Sequence, residues 1–199
     1  MYETDNGGNS WSPRGPMNLP AGEHITRVLF QPPPYQFTWL AGTSQGRLWM
    51  QWFGVWIPQF THLNKAPILS MASAPTDPRV LYVLFDWATS PEHRIYRFVQ
   101  QPAPSILWQG EPIAHKLPVN TIPTVVCGDG FNSSVVYVGT AAGVYRGHRL
   151  GVAPFAWSWE AYNVGLPLVE ISDLLVDPVS KQLRAGTMGR GAWAVLTGP

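Results

Sequence analysis

Two carboxylates converging across a cleft can hydrolyse a glycosidic bond when they stand roughly 5–10 Å apart. Of the 12 acidic residues in this chain of 199, Asp86 and Asp173 are the pair whose surroundings would let them meet. Asp173 lies in the strand-like run VEISDLLV, and Asp86 closes the run LYVLF. Asp77 and Asp177 each precede a proline and read as turn residues. Asp173 has a second use, accepting backbone hydrogen bonds. The arginines from Arg27 to Arg190 are scattered along the chain, as solvated strand faces would be, and form no cluster suited to gripping a substrate carboxylate. His24, His62, His93, His115 and His148 contain no short pair with metal-ligand spacing. Gly189-Arg190-Gly191 lacks the following helix whose N-terminus would hold a phosphate. Cys127, the single cysteine, sits in the apolar run TIPTVVCG and reads as a buried, inert thiol. Nothing here calls for a cofactor or a metal.

The charge balance narrows the partners. Against 12 Asp+Glu stand 13 Lys+Arg, a formal charge of +1 with only 13% of residues charged. That is no footprint for nucleic acid or for an anionic membrane surface. No apolar run approaches the ~18 residues of a membrane helix, and the first residues have neither the basic nor the apolar region of a leader peptide. Localisation stays open. The length suits one domain over residues 1–199.

The elements that would carry these side chains are short strands. The 20 Pro and 19 Gly leave no window with a helical period over three turns, while 10 Trp, 8 Phe and 7 Tyr lie among β-branched residues. The chain is also self-similar. Leu40-Ala41-Gly42-Thr43, Tyr82-Val83-Leu84-Phe85, Tyr137-Val138-Gly139-Thr140 and Arg184-Ala185-Gly186-Thr187 each end a strand-like run, at steps of 42, 55 and 47 residues. A four-stranded module of the propeller type repeats every ~40–50 residues. In three repeats a short glycine turn leads to an apolar-aromatic pair, Leu48-Trp49, Val144-Tyr145 and Ala192-Trp193. In the second repeat the turn is lengthened to DWATSPEH before Arg94-Ile95-Tyr96. Leu19-Pro20, Ala66-Pro67, Leu117-Pro118 and Leu166-Pro167 precede the runs HITRVLF, ILSMASA, IPTVVCG and VEISDLLV, and Trp11, Trp56, Trp108 and Trp159 mark a fourth strand. Each repeat reads strand A, turn, strand B, glycine turn, strand C, loop, strand D.

The count begins with a strand D near residues 10–16 and ends with a strand C near Thr197, sixteen strands in all. This predicts an all-β, four-bladed β-propeller in which the N-terminal strand pairs with the last three and covers their edge. The alternative is a fragment of a six- to eight-bladed propeller.

Thr4-Asp5-Asn6-Gly7-Gly8-Asn9-Ser10-Trp11 resembles the Asp-box, or bacterial neuraminidase repeat, with Asn6 in the aspartate position. Asn163 to Pro167, Ile171 to Leu174, Asp177-Pro178, Ala185-Gly186-Thr187 and Gly189 to Trp193 resemble blades of the same superfamily, which includes sialidases, xyloglucanases, sortilin-type receptor ectodomains and a photosystem assembly factor. The two middle repeats keep a tryptophan in QWFGVW and QQPAPSILW but lose the box. The resemblance implies a fold with unrelated functions grafted on it, and the Arg-Ile-Pro signature of the sialidases is absent.

These readings leave two functions. The favoured one is a non-catalytic module that binds a protein or a glycan; the other is a carbohydrate-active hydrolase of sialidase or xyloglucanase type. Binding is expected on the face where B-to-C turns and D-to-A links emerge. The polar insertion there carries Trp87, an aromatic residue typical of interaction sites, beside Asp86, Gln45, Arg190, His115 and Lys116.

Overall fold

The computed structural model describes residues 2–13, 15, 17–31, 38–60, 65–86, 93–102, 105, 107–118, 120–151 and 156–197. Among these the chain is all-β. A hairpin, β1 (Tyr2–Glu3) with β2 (Ser12–Pro13), precedes a first sheet of β3 (Ile25–Gln31), β4 (Thr38–Thr43), β5 (Leu48–Trp52) and β6 (Val55–Phe60). The second sheet holds β7 (Ile68–Ala74), β8 (Asp77–Phe85), β9 (Ile95–Gln100) and β10 (Trp108–Pro112). The third holds β11 (Pro123–Gly128), β12 (Val135–Thr140), β13 (Gly143–Leu150) and β14 (Ala156–Ala161), and the fourth β15 (Ile171–Asp177), β16 (Gln182–Thr187) and β17 (Gly191–Leu196). Every sheet is an antiparallel meander in sequence order. The four sheets stand side by side as propeller blades, β3 packing on β7, β7 on β11 and β11 on β15.

The second strand of each blade ends at Thr43, Phe85, Thr140 or Thr187, the positions at which the repeat landmarks fall. The threonines close the following turn: Thr43 Oγ1 accepts the Arg47 N–H, while the Thr140 and Thr187 hydroxyls donate to the carbonyls of Gly143 and Gly191. Gly46 and Gly143 have φ of 72° and 102°, which explains the glycine in each of these turns.

Three apolar layers hold the blades together. Leu40, Leu48 and Met50 of the first meet Ile68, Val83, Phe85 and Phe98 of the second. Tyr82, Leu84 and Ile95 meet Val126, Val136, Val138 and Trp157 of the third. Val125, Tyr137 and Val144 then meet Ile171, Leu174, Val176 and Leu183 of the fourth. A blade with neighbours on both sides is buried on both faces, so Val80 to Phe85 are almost wholly covered without alternation.

Each inner strand carries the same irregularity. Its register shifts immediately after the first residue, between Ile25 and Arg27, Ile68 and Ser70, Pro123 and Val125, and Ile171 and Asp173. The bulge frees one residue from the ladder. Thr26 and Thr124 use that freedom to donate a hydroxyl to the carbonyl of Ile68 and of Ile171 in the next blade. In the second blade the freed residue is Leu69, and its neighbour Ser70 accepts the Val126 N–H of the third blade through Oγ at 3.2 Å.

The blades form as the repeats predict; the closing strand does not. β2 pairs with β1, through Tyr2↔Pro13 and Glu3↔Ser12, and β17 has no further partner strand among the described residues. The cause is local. Thr4 Oγ1 accepts the Gly8 N–H at 2.8 Å and Asn6 Oδ1 the Ser10 N–H at 3.0 Å, which folds the segment onto its own neighbour with a short loop to close. Trp11 is correspondingly 59% exposed. A second correction concerns Asp77, which begins β8 rather than opening the turn after β7, with its carboxylate on the N–H and Nε of Arg79. Asp177 does sit at a strand end and accepts the N–H groups of Val179 and Ser180.

Candidate functional site

One face of the blades is tied together by a repeated hydrogen bond. The N–H of Ser44, Asp86, Ala141 and Met188, each the first residue after the blade's second strand, donates to the carbonyl of His24, Pro67, Ile122 and Glu170, just before its inner strand. Turns and links therefore emerge together, as a rim whose backbone is fixed.

The candidate binding residues are spread along this rim. Gln45 is exposed between β4 and β5, and Arg190 between β16 and β17, where its carbonyl accepts the Trp193 Nε1–H. Asp86 is exposed after β8, and its carbonyl accepts a hydrogen bond from Arg94. Lys116 is exposed with φ of 69°, while His115 is half-buried and accepts the Trp157 N–H through Nε2 at 3.4 Å. Trp87 lies outside the described residues. No hydrogen bond or ion pair joins any two of the five described candidates. A depression of ≈320 Å³ opens between the link 118–122 and the turn 141–142 of the third blade, walled by Asn120, Thr121, Ile122, Thr140 and Tyr145. Ile122 is half-exposed in its wall.

The axis holds a separate cavity of ≈240 Å³, to which all four inner strands contribute: Arg27, Ser70, Met71, Thr124, Ser172 and Asp173 are among its walls. Asp173 is the one carboxylate among them, and its Oδ1 accepts the N–H of Leu174 at 2.9 Å. Asp86 stands on the rim instead, so the two carboxylates that could have formed an acid and base pair lie in different places. A third cavity of ≈220 Å³ is apolar and lies between the outer parts of the third and fourth blades, beside Tyr162, Leu166, Leu183 and Trp193. Cys127 is buried, as its run suggests, and burial pushes its thiol up to about 11.

One constellation is invisible in the sequence. Glu111, which reads as part of the rim link, lies on β10 and faces a flank cleft together with Arg97 and Arg149. Arg97 is 6% exposed, contrary to the expectation that the arginines are solvated. In a strand covered on both faces, alternation cannot say which charged side chain is inside.

No protein-family model matches the sequence, and no curated protein matches it. Solved β-propellers resemble the structure. YCF48 from Cyanidioschyzon merolae superposes with a TM-score of 0.61 at 12% identity, over 98% of this chain and 62% of that one. The GH74 xyloglucanase from Xanthomonas campestris gives 0.59 at 17% identity, over 100% and 32%. A luciferin-regenerating enzyme gives 0.54 at 12%, over 83% and 54%. The chain thus spans less than two thirds of each of these proteins. At such identities the likeness is one of fold, and it makes the chain a β-propeller.

Proposed function

We propose that the chain is a non-catalytic recognition propeller that binds a protein or a glycan on its rim, and that it forms a single domain over residues 1–199. The observation that carries this reading is the depression between the link 118–122 and the turn 141–142, which combines polar Asn120 and Thr121 with the aromatic Tyr145 and the exposed Ile122. Recognition sites need such a concave mixture on a rigid support. The rigid support is the set of turn-to-link hydrogen bonds. Gln45, Asp86, Lys116 and Arg190 supply polar groups along the same rim. The turn from Thr4 to Trp11, with Thr4 and Asn6 bonded to the N–H groups of Gly8 and Ser10, supports an Asp-box reading of that segment.

The test is binding to arrays of immobilised oligosaccharides and of peptides, by the unmodified chain and by Thr121→Arg with Tyr145→Ala. The reading requires that the double variant lose at least tenfold in affinity with its melting temperature kept; undiminished binding would remove the rim as the site. Asp173 in the axial cavity motivates the hydrolase alternative. Release of sugar from xyloglucan or aryl glycosides that disappears in Asp173→Asn would establish it.

A further inference from the structure

On the flank of the propeller, away from both the rim depression and the axis, a cleft of ≈220 Å³ lies between the second and third blades. Its walls are Arg97 and Val99 of β9, Gln101, Gln109 to Glu111 of β10, and Arg149 of β13. Arg97 stands opposite Glu111 in the β9–β10 ladder, and Arg149 comes across from the neighbouring blade.

The charges do not balance. Two guanidinium groups face one carboxylate: Glu111 Oε1 is 3.5 Å from Arg97 Nη1 and 3.6 Å from Arg149 Nε. Those are ion-pair distances, long for a charge-assisted hydrogen bond, and Glu111 Oε1 has no hydrogen-bond partner among the described residues. The Arg97 side chain is 7% exposed and its guanidinium also meets the Tyr82 side chain, yet its Nε–H is without a partner among the described residues. Burying a guanidinium in this state is costly unless something completes its donors. Asp77, whose carboxylate also feels the Arg97 charge, is already held by Arg79 at 3.0 Å. Desolvation, and after it the charge of Arg97, lowers the proton affinity of Arg149, as two neighbouring cations must.

We propose that this cleft is a binding site for a small oxyanion group, a carboxylate, sulfate or phosphate carried by a ligand, with Arg97 as its buried donor and Arg149 as the second arm. Guanidinium forks match such groups two oxygens at a time. Gln101 and Gln109 line the mouth and offer amide donors. Glu111, with a third of its side chain exposed, is the internal competitor: one of its two oxygens, Oε1, bridges the two arginines until an incoming anion displaces it.

Three probes separate the chemistries: sodium acetate, sodium sulfate and inorganic phosphate, each titrated at constant ionic strength and followed by the arginine Nε–H resonances and by calorimetry. Saturable binding of at least one is expected. Glu111→Gln should tighten it about tenfold or more, because a like charge within about 4 Å is removed. Arg149→Gln should weaken it by a similar factor with the fold kept, and Arg97→Gln should abolish it. Because Arg97→Gln risks the fold, the pair Arg149→Gln and Glu111→Gln decides. Absence of saturable binding in both the unmodified chain and Glu111→Gln, or binding indifferent to Arg149→Gln, would overturn the proposal. Preference among the three anions tells a planar carboxylate site from a tetrahedral one.

Discussion

Gly139 lies directly under Ile171 of the next blade: a β-carbon on the glycine would stand 2.7 Å from Ile171 Cγ2 and 2.6 Å from Val125 Cγ1. Gly42 repeats the relationship with Ile68, whose Cγ2 would be 2.8 Å away. In both places the absent side chain is what lets a β-branched residue from one blade seat on the sheet of another. Gly139→Ala should lower the unfolding free energy by about 1–3 kcal/mol through overpacking. Urea denaturation measures it, and in a Gly139→Ala/Ile171→Ala double variant the loss should be smaller than the sum of the two single losses, since removing Cγ2 frees the space the new methyl needs.

Asp129 is buried and fully engaged. Its Oδ1 accepts the N–H groups of Phe131 and Asn132, each at 2.8 Å, and its Oδ2 accepts the Tyr137 hydroxyl at 3.0 Å. Asp129→Ala leaves two backbone donors and a phenol unpaired, and should cost about 2–4 kcal/mol. Tyr137→Phe removes one bond only and should cost about 1 kcal/mol. Equal losses in the two variants would contradict this division.

Burial holds the Cys127 thiol protonated, with a smaller contribution from the charges of Asp173 and Asp129. Its folded value of about 11 lies above the ordinary 9.0. The folded state therefore binds this proton more tightly than the unfolded chain does. The associated stability is complete below pH 9 and is lost as pH rises through 11, by up to roughly 3 kcal/mol. Melting temperatures measured from pH 8 to 11 should fall less steeply in Cys127→Ala. A thiol reagent at pH 8 should label the native chain at least a hundredfold more slowly than the urea-unfolded one.

The first hairpin contributes little to the blades, since among the described residues β2 pairs with β1 alone. Removing residues 1–13 should leave the melting temperature within about 2 °C and the protein monomeric. A larger drop, or aggregation, would mean that this segment covers a sheet edge in solution.

Much of the architecture is written in the chain. Thr43, Thr140 and Thr187 end strands because their hydroxyls close the next turn, and a local rule of that kind repeats visibly. Trp56 and Trp108 are buried on fourth strands as expected, whereas in the third blade the fully buried ring is Trp157, stacked at 6.3 Å on Trp159. Two residues of the same strand face share one side, and spacing alone does not rank them. The bulges after Ile25, Ile68, Pro123 and Ile171 leave no compositional mark. The site was harder still. Asp86 and Asp173 differ by their places in three dimensions, and Arg97 differs from the exposed arginines by the blade packed over it, which brings Arg149 onto the same Glu111 carboxylate from far along the chain.

A hydroxyl at the head of each of the first three inner strands gives the row of blades a direction. Thr26 and Thr124 bond forward to Ile68 and Ile171, and Ser70 holds Val126. Each junction is thus formed by a hydroxyl surface belonging wholly to one repeat and a backbone surface belonging wholly to the following one. A gene segment cut between successive bulges would carry one of each. Its tandem duplication would recreate every junction without new sequence, whereas a segment cut within a blade would have to reinvent the meander. The unit that can be copied is therefore set by the hydroxyl and its backbone partner, not by the boundaries of the sheets.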